Sequence, residues 1–221
     1  MRVTLSFDNG PDPEVTPRVL DVLARAGVRA HFYVLGKFLS DPRARHSVER
    51  ARDEGHIVGN HSFTHEVPLG DDPRADAVER EIRATEELLS PLVPGSLRFR
   101  PFGGGGVLGP HLLSARAVSY LVERRYSCVL WNSVPRDWED PEGWPARALA
   151  DCERLEHAVV VLHDIPGAAG NHLERFLGAL RDNGAELVTD LPSSCTPIVE
   201  GAITGDLSGL VFPFTPPRTT P

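Results

Sequence analysis

Apolar runs of strand length and runs with helical spacing alternate about seven times along this chain. Such alternation builds a mainly parallel sheet covered by helices, either closed as a barrel or open and doubly wound. Strands are expected at residues 2–7, 28–35, 56–59, 97–99, 127–131, 157–162 and 185–188. Helices are expected at 14–26, 40–54, 71–89, 110–125, 145–155 and 171–183. Pro-containing caps at Ser40-Asp41-Pro42 and Asp71-Asp72-Pro73 start two of these helices, and Gly27, Gly55 and Gly184 stop three. From Leu191 on, Pro, Thr, Ser and Gly dominate. The reading is therefore one domain over residues 1–190 with an extension over 191–221. In that extension 198–211 is expected to pack or add edge strands and 215–221 to be disordered.

Bulk composition removes several function classes. At 221 residues and 41% hydrophobic content the chain can bury one sizeable core. A formal net charge of -8 with no Lys/Arg block argues against nucleic acid as a partner. No apolar run reaches membrane-spanning length, so no membrane partner is expected. The first strand begins directly after Met1 with no secretory leader before it, which points to the cytoplasm. Cys128, Cys152 and Cys195, odd in number and far apart, fit free thiols in a reducing compartment. Oligomeric state is not legible.

In an alternating fold the informative residues are polar ones at strand ends, where ligands bind. Five places qualify. Asp8-Asn9-Gly10-Pro11 follows the first strand, which cannot run through Gly-Pro, although Asx turns alone also favour these residues. His61 and His65 follow the third strand four residues apart. On a helical turn they would share one face and form half of a zinc site; two unrelated surface histidines are the ordinary alternative. Arg98-Phe99-Arg100-Pro101-Phe102 leads into glycines 103–106. A cation there can hold a carboxylate, and a Gly turn can aim N–H groups at an oxyanion, or simply be a flexible loop. Asp137-Trp138 follows Trp131-Asn132-Ser133, a surface turn in its plain reading. His163 ends the apolar run Val159-Val160-Val161-Leu162, where a general acid would be partly desolvated; most such histidines are structural.

Taken in order, these stretches resemble the polysaccharide deacetylases of carbohydrate esterase family 4, the NodB homology domain, over about residues 2–190. Ser6-Phe7-Asp8-Asn9-Gly10-Pro11 is similar to the family's Thr-Phe-Asp-Asp-Gly-Pro, and Gly59-Asn60-His61-Ser62-Phe63-Thr64-His65 to its His-Ser/Thr-x-x-His motif. Phe99-Arg100-Pro101-Phe102-Gly103 resembles Arg-Pro-Pro-Tyr-Gly, while Asp137-Trp138 and Val161-Leu162-His163-Asp164 resemble the fourth and fifth motifs. The resemblance implies an α/β fold, the family's distorted (β/α) barrel of seven strands. It also implies metal-dependent cleavage of an amide C–N bond, as in N-deacetylation of an acetamido sugar or a related small N-acyl substrate. By analogy Asp8 is the general base, Arg100 pairs with it, His163 is the acid and Asp137 orients His163. His61, His65 and Asn9 would hold a divalent metal, with zinc expected and cobalt or nickel as alternatives. Phe102 or Gly103 would supply an oxyanion N–H, and Trp138, Val161 and Leu162 would line the acyl pocket.

Two departures shape the expectation. Asn9 stands where the family usually has a metal-binding Asp, so a ligand is neutral and metal binding is expected to weaken. Phe102 and Gly103 replace the second Pro and the Tyr of the third motif, which alters the wall that packs on a sugar. With no leader, the expected partner is a small-molecule or oligosaccharide N-acyl substrate. A cyclic amide or imide, as in allantoinase-like hydrolases of this fold, is the alternative within hydrolases. A catalytically degenerate carbohydrate-binding protein is the alternative outside them.

Overall fold

A computed structural model describes residues 1–212. All seven expected strands form: β1 Arg2–Asp8, β2 His31–Val34, β3 Ile57–Asn60, β4 Arg98–Phe99, β5 Ser127–Cys128, β6 His157–His163 and β7 Glu186–Val188. The extension adds β8 Ile198–Val199 and β9 Ala202–Ile203. The sheet runs β6-β1-β2-β3-β4-β5-β8-β9, parallel except where β8 and β9 join antiparallel. Beyond β5 the chain returns to β6, where Ser133 bridges Val160 and Val161 N–H donates to the Ser133 carbonyl at 2.9 Å. The sheet is thus curled and partly closed, a distorted barrel.

The distortion centres on β1. One edge pairs with β6 over its whole length, from Arg2↔His157 to Asp8↔His163. The other edge is divided: Arg2, Val3 and Thr4 pair with β7, while Ser6, Phe7 and Asp8 pair with β2. Strand alternation then sorts the side chains. Val3, Leu5 and Phe7 of β1, with Ala158, Val160 and Leu162 of β6, enter the layer beneath the helices. Burying each such Leu or Phe contributes about 1.5–3 kcal/mol. Ser6 and Asp8 face the opposite way and meet the Arg100 guanidinium.

Among the described residues six α-helices cover the sheet: α1 Val15–Ala26, α2 Pro42–Asp53, α3 Ala84–Leu89, α4 Ala115–Glu123, α5 Trp144–Arg154 and α6 Leu173–Asp182. Their ends follow local chemistry. Gly27 closes α1 at φ 66°, the left-handed conformation for which glycine carries no side-chain penalty. Asp41 caps α2 by accepting from Arg43 N–H at 2.8 Å.

Three expectations change in detail. Asp72 closes a turn instead of capping a helix: it accepts from Arg74 N–H and is clasped by the Arg74 guanidinium, and no helix follows directly. Helix begins only at residue 77 and passes through a π-helical stretch, Glu79–Arg83, before α3. The helix expected from residue 110 is interrupted at Leu113, whose backbone exchanges hydrogen bonds with Leu210 and Phe212 of the extension. Strand β5 ends at Cys128, short of 131, because the Val129 and Leu130 carbonyls turn toward Arg100.

The extension packs through Cys195, Ile198 and Leu210, which are buried in one apolar core with Phe99, Leu112 and Leu130. The expected disorder of 215–221 lies outside the described residues. Cys128, Cys152 and Cys195 are free thiols. Among the described residues no helix is long and apolar enough to cross a membrane.

Candidate active site

The carboxyl ends of β1, β3 and β6 and the loops after β4 and β5 surround a cleft of about 390 Å³. Asp8, Asn9, His61, His65, Phe102, Gly103, Trp138, Val161 and His163 all line it. Five segments far apart in sequence therefore meet in one place.

Asp8 ends β1 at 3% exposure. Its Oδ1 accepts from Arg100 Nη1 at 2.9 Å, and its Oδ2 lies 3.6 Å from His61 Nε2. Arg100 is fully buried and its guanidinium is used on every side. It donates to Ser6 Oγ at 2.7 Å and to the Val129 and Leu130 carbonyls at 3.4 and 3.3 Å. It also lies over the Tyr33 ring, 4.0 Å from the centroid. A planar five-donor cation suits this position, where a lysine could satisfy only part of the set.

His163 is built in the same way on the neighbouring strand. Its Nδ1 bonds Asp137 Oδ1 at 2.7 Å, which leaves Nε2 toward the cleft. Asp137 is itself fully buried, and its other oxygen accepts from the His163 and Ala169 N–H groups at 2.8 and 3.1 Å. Burial works against charge on His163, but the hydrogen bond and negative charge of Asp137 outweigh it and hold the imidazole above its ordinary value. Trp138 packs edge-on against His163 at 4.7 Å.

His61 and His65 lie 5.2 Å apart between ring centroids. His61 Nδ1 donates to the Arg100 carbonyl at 2.8 Å, which fixes Nε2 as the free nitrogen on the Asp8 side. Burial pushes both imidazoles down, His65 to about 3 with help from neighbouring His61, so both are neutral donors of a lone pair. Asn9 sits at φ 71°, and its Oδ1 is buried without a hydrogen-bond partner. An orphaned amide oxygen beside two neutral imidazoles is what a divalent cation would satisfy. The residues fit such an ion. Among the described residues no group of three or more His, Cys, Asp or Glu forms a ligand cluster, so an ion here would draw on two imidazoles and an amide.

The altered third motif has a steric reason. A Cβ at Gly103 would fall 2.6 Å from His111 Nε2 and 2.6 Å from Leu112 Cδ2, so a side chain there would require both of these to move. Phe102 supplies the aromatic face, stacked on His65 at 4.0 Å. Leu162 is not brought to the cleft. Being one residue from Val161 on β6, it points into the core layer beneath the helices.

Gly104, Gly105, Gly106, Trp131 and Val134, from two of the strand-end stretches singled out in the sequence, also line the cleft, and Ile165, which no pattern marked, joins them. Sequence reasoning missed the supports Ser6, Tyr33 and Glu81. Nothing in the sequence spacing aimed Glu81 at the histidine loop.

The sequence profile described as "Polysaccharide deacetylase" matches residues 1–117. A chitooligosaccharide deacetylase of Rhizobium leguminosarum bv. phaseoli is 36% identical over 164 residues, covering 72% of this chain and 66% of that protein. A peptidoglycan-N-acetylglucosamine deacetylase of Bacillus cereus is 29% identical over 195 residues, covering 86% of this chain and 67% of its own. This chain thus spans about two thirds of the length of these relatives. Among solved structures, the Bc1960 peptidoglycan N-acetylglucosamine deacetylase, bound to 4-naphthalen-1-yl-N-oxidanyl-benzamide, superposes with a TM-score of 0.73 at 26% identity. That match covers 90% of this chain and 89% of the other.

Proposed function

This chain belongs to the polysaccharide deacetylase family, and from that premise we propose that it hydrolyses the amide C–N bond of an N-acetylated amino sugar or related small N-acyl substrate. The observation that carries the reading is the pairing of Asp8 with His163 in register on adjacent strands, each backed by a buried partner of opposite charge. A base and an acid on one cleft are what amide hydrolysis needs, because water must lose a proton and the leaving nitrogen must gain one.

Asp8, oriented by Arg100, takes a proton from the attacking water as its oxygen bonds to the acyl carbon. The amide C–N bond then breaks, and His163 Nε2 gives its proton to the departing nitrogen, releasing a free amine and acetate. Asp137 supports this step by holding the imidazole orientation and favouring its charged form. Trp138 and Val161 offer an apolar wall for the acyl methyl, and the N–H of Gly103 or Phe102 is the candidate donor to the oxyanion. A divalent cation held by His61, His65 and the Asn9 amide oxygen, with zinc first and cobalt or nickel after it, would polarise the carbonyl and lower the pKa of water.

Release of acetate and amine should be measured on acetamido sugars, their oligomers and cyclic imides, with and without added zinc, cobalt or nickel. Turnover of acetamido sugars is expected, lost in Asp8→Ala and in His163→Ala while circular dichroism stays native. Wild-type rate in either variant would overturn the assignment of base or acid. Tight sugar binding with no turnover on any substrate would overturn hydrolysis.

A further inference from the structure

The loop after β3 has a conformation that its sequence alone does not favour. Ser62 and His65 sit at φ 76° and 59°, left-handed values that side chains other than glycine, Asn and Asp rarely adopt. A segment held this way must be fixed by its surroundings. Asn60 supplies one anchor: its Oδ1 accepts from Ser62 N–H at 2.9 Å and its Nδ2 donates to the Ile82 carbonyl at 2.9 Å.

Glu81 supplies the larger one. Its Oε2 accepts from the N–H groups of Phe63 and Thr64 at 3.1 and 2.8 Å, and its Oε1 accepts from Thr64 Oγ1 at 2.8 Å. The side chain is 1% exposed, with Arg74 Nη2 3.7 Å from Oε1 as its cationic neighbour. Glu81 lies in the middle of the π-helical stretch Glu79–Arg83. Such a stretch widens one turn and changes which way its side chains point, and it is rare and often found at functional sites. A buried carboxylate with three donors, all from the segment between His61 and His65, is more than core packing asks for.

We infer that Glu81 is a positioning residue: it sets the backbone of residues 63–65 and thereby the placement of His65 relative to His61, which fixes how tightly the pair takes a divalent cation. The inference rests on the reading that these imidazoles hold the ion. It differs from the direct roles above because Glu81 does not line the cleft.

The test measures Zn²⁺ affinity of the full chain by chelator competition, without substrate, alongside amide hydrogen exchange. Glu81→Ala should bind Zn²⁺ about 10–100-fold more weakly, the range for supporting residues of metal ligands. It should also exchange faster at Phe63 and Thr64. Glu81→Gln keeps a carbonyl acceptor and should recover part of both. A folded Glu81→Ala with wild-type Zn²⁺ affinity would overturn the inference. Should Glu81→Ala not fold, Thr64→Val removes one of the three bonds and should weaken Zn²⁺ binding several-fold, with unchanged affinity again overturning it. A wild-type chain that binds no Zn²⁺ would defeat the metal reading itself. In that event the exchange measurement decides for Glu81: unchanged protection at 63 and 64 in Glu81→Ala or Glu81→Gln would overturn its hold on the loop.

Discussion

Replacing Arg100 with Met tests the electrostatic framework on which the site is built. Arg100 has no exposed side-chain surface and Asp8 only 5%, so water cannot take over for the lost guanidinium. Breaking one side of a buried pair leaves an uncompensated charge and costs about 3–5 kcal/mol. Met keeps much of the contact with Tyr33 but leaves the Ser6 hydroxyl and the Val129 and Leu130 carbonyls without their donor. Against a total stability of about 5–15 kcal/mol this is a large loss. In a chain of this length it should lower the melting temperature by about 6–20 °C. The double variant Arg100→Met with Asp8→Asn removes both charges, and it should regain about 1–3 kcal/mol of the loss while remaining inactive. Urea unfolding of the wild type, both single variants and the double variant closes the cycle. A loss below about 1 kcal/mol in Arg100→Met, or a cycle additive to within about 0.5 kcal/mol, would refute the buried pair as the organising contact.

The support of His163 by Asp137 predicts a pH effect. Because His163 is held above the ordinary imidazole value, its protonated form should persist to higher pH, and Asp137→Asn should move the alkaline limb of the rate profile to lower pH. The same contact adds stability that is full below pH about 6.5 and fades as pH rises through the folded-state value, so the variant's deficit in melting temperature should shrink in alkaline buffer. An unmoved alkaline limb in Asp137→Asn would remove His163 as the acid. Asn9→Asp puts a charge where an orphaned oxygen now sits, in a left-handed conformation that Asp tolerates. Zinc affinity by chelator competition should rise on the order of tenfold or more, and an unchanged value would show that residue 9 is not a ligand.

Much of the frame was legible because β1 and β6 are long apolar runs ended by polar residues, and the same ends gave away Asp8 and His163. Helix starts were less secure. Asp41 caps a helix and Asp72 closes a turn, although each precedes a proline and accepts from the N–H two residues on; the Asp72 carboxylate is in addition clasped by the Arg74 guanidinium. Leu162 was placed in the cleft by its closeness to His163 in sequence, but strand alternation sends it to the core with its even-numbered neighbours. Glu81 could not be read because its meaning depends on a π-turn, and no spacing rule marks where a helix takes in an extra residue. The shortness of β5 has a similar origin, since two carbonyls leave the ladder for a guanidinium 29 and 30 residues away in sequence.

The divided edge of β1 has a bearing on how the chain is made. The strand that carries Asp8 leaves the ribosome well before its partners, and it waits for β6 on one side and β7 on part of the other. Roughly 150 residues must be synthesised in between, which at bacterial or eukaryotic elongation speeds takes roughly 10–30 s. Throughout that interval one edge of an apolar strand has no permanent neighbour, a template on which a second nascent chain could pair. A factor that covers that edge during translation should therefore raise the soluble yield of the chain.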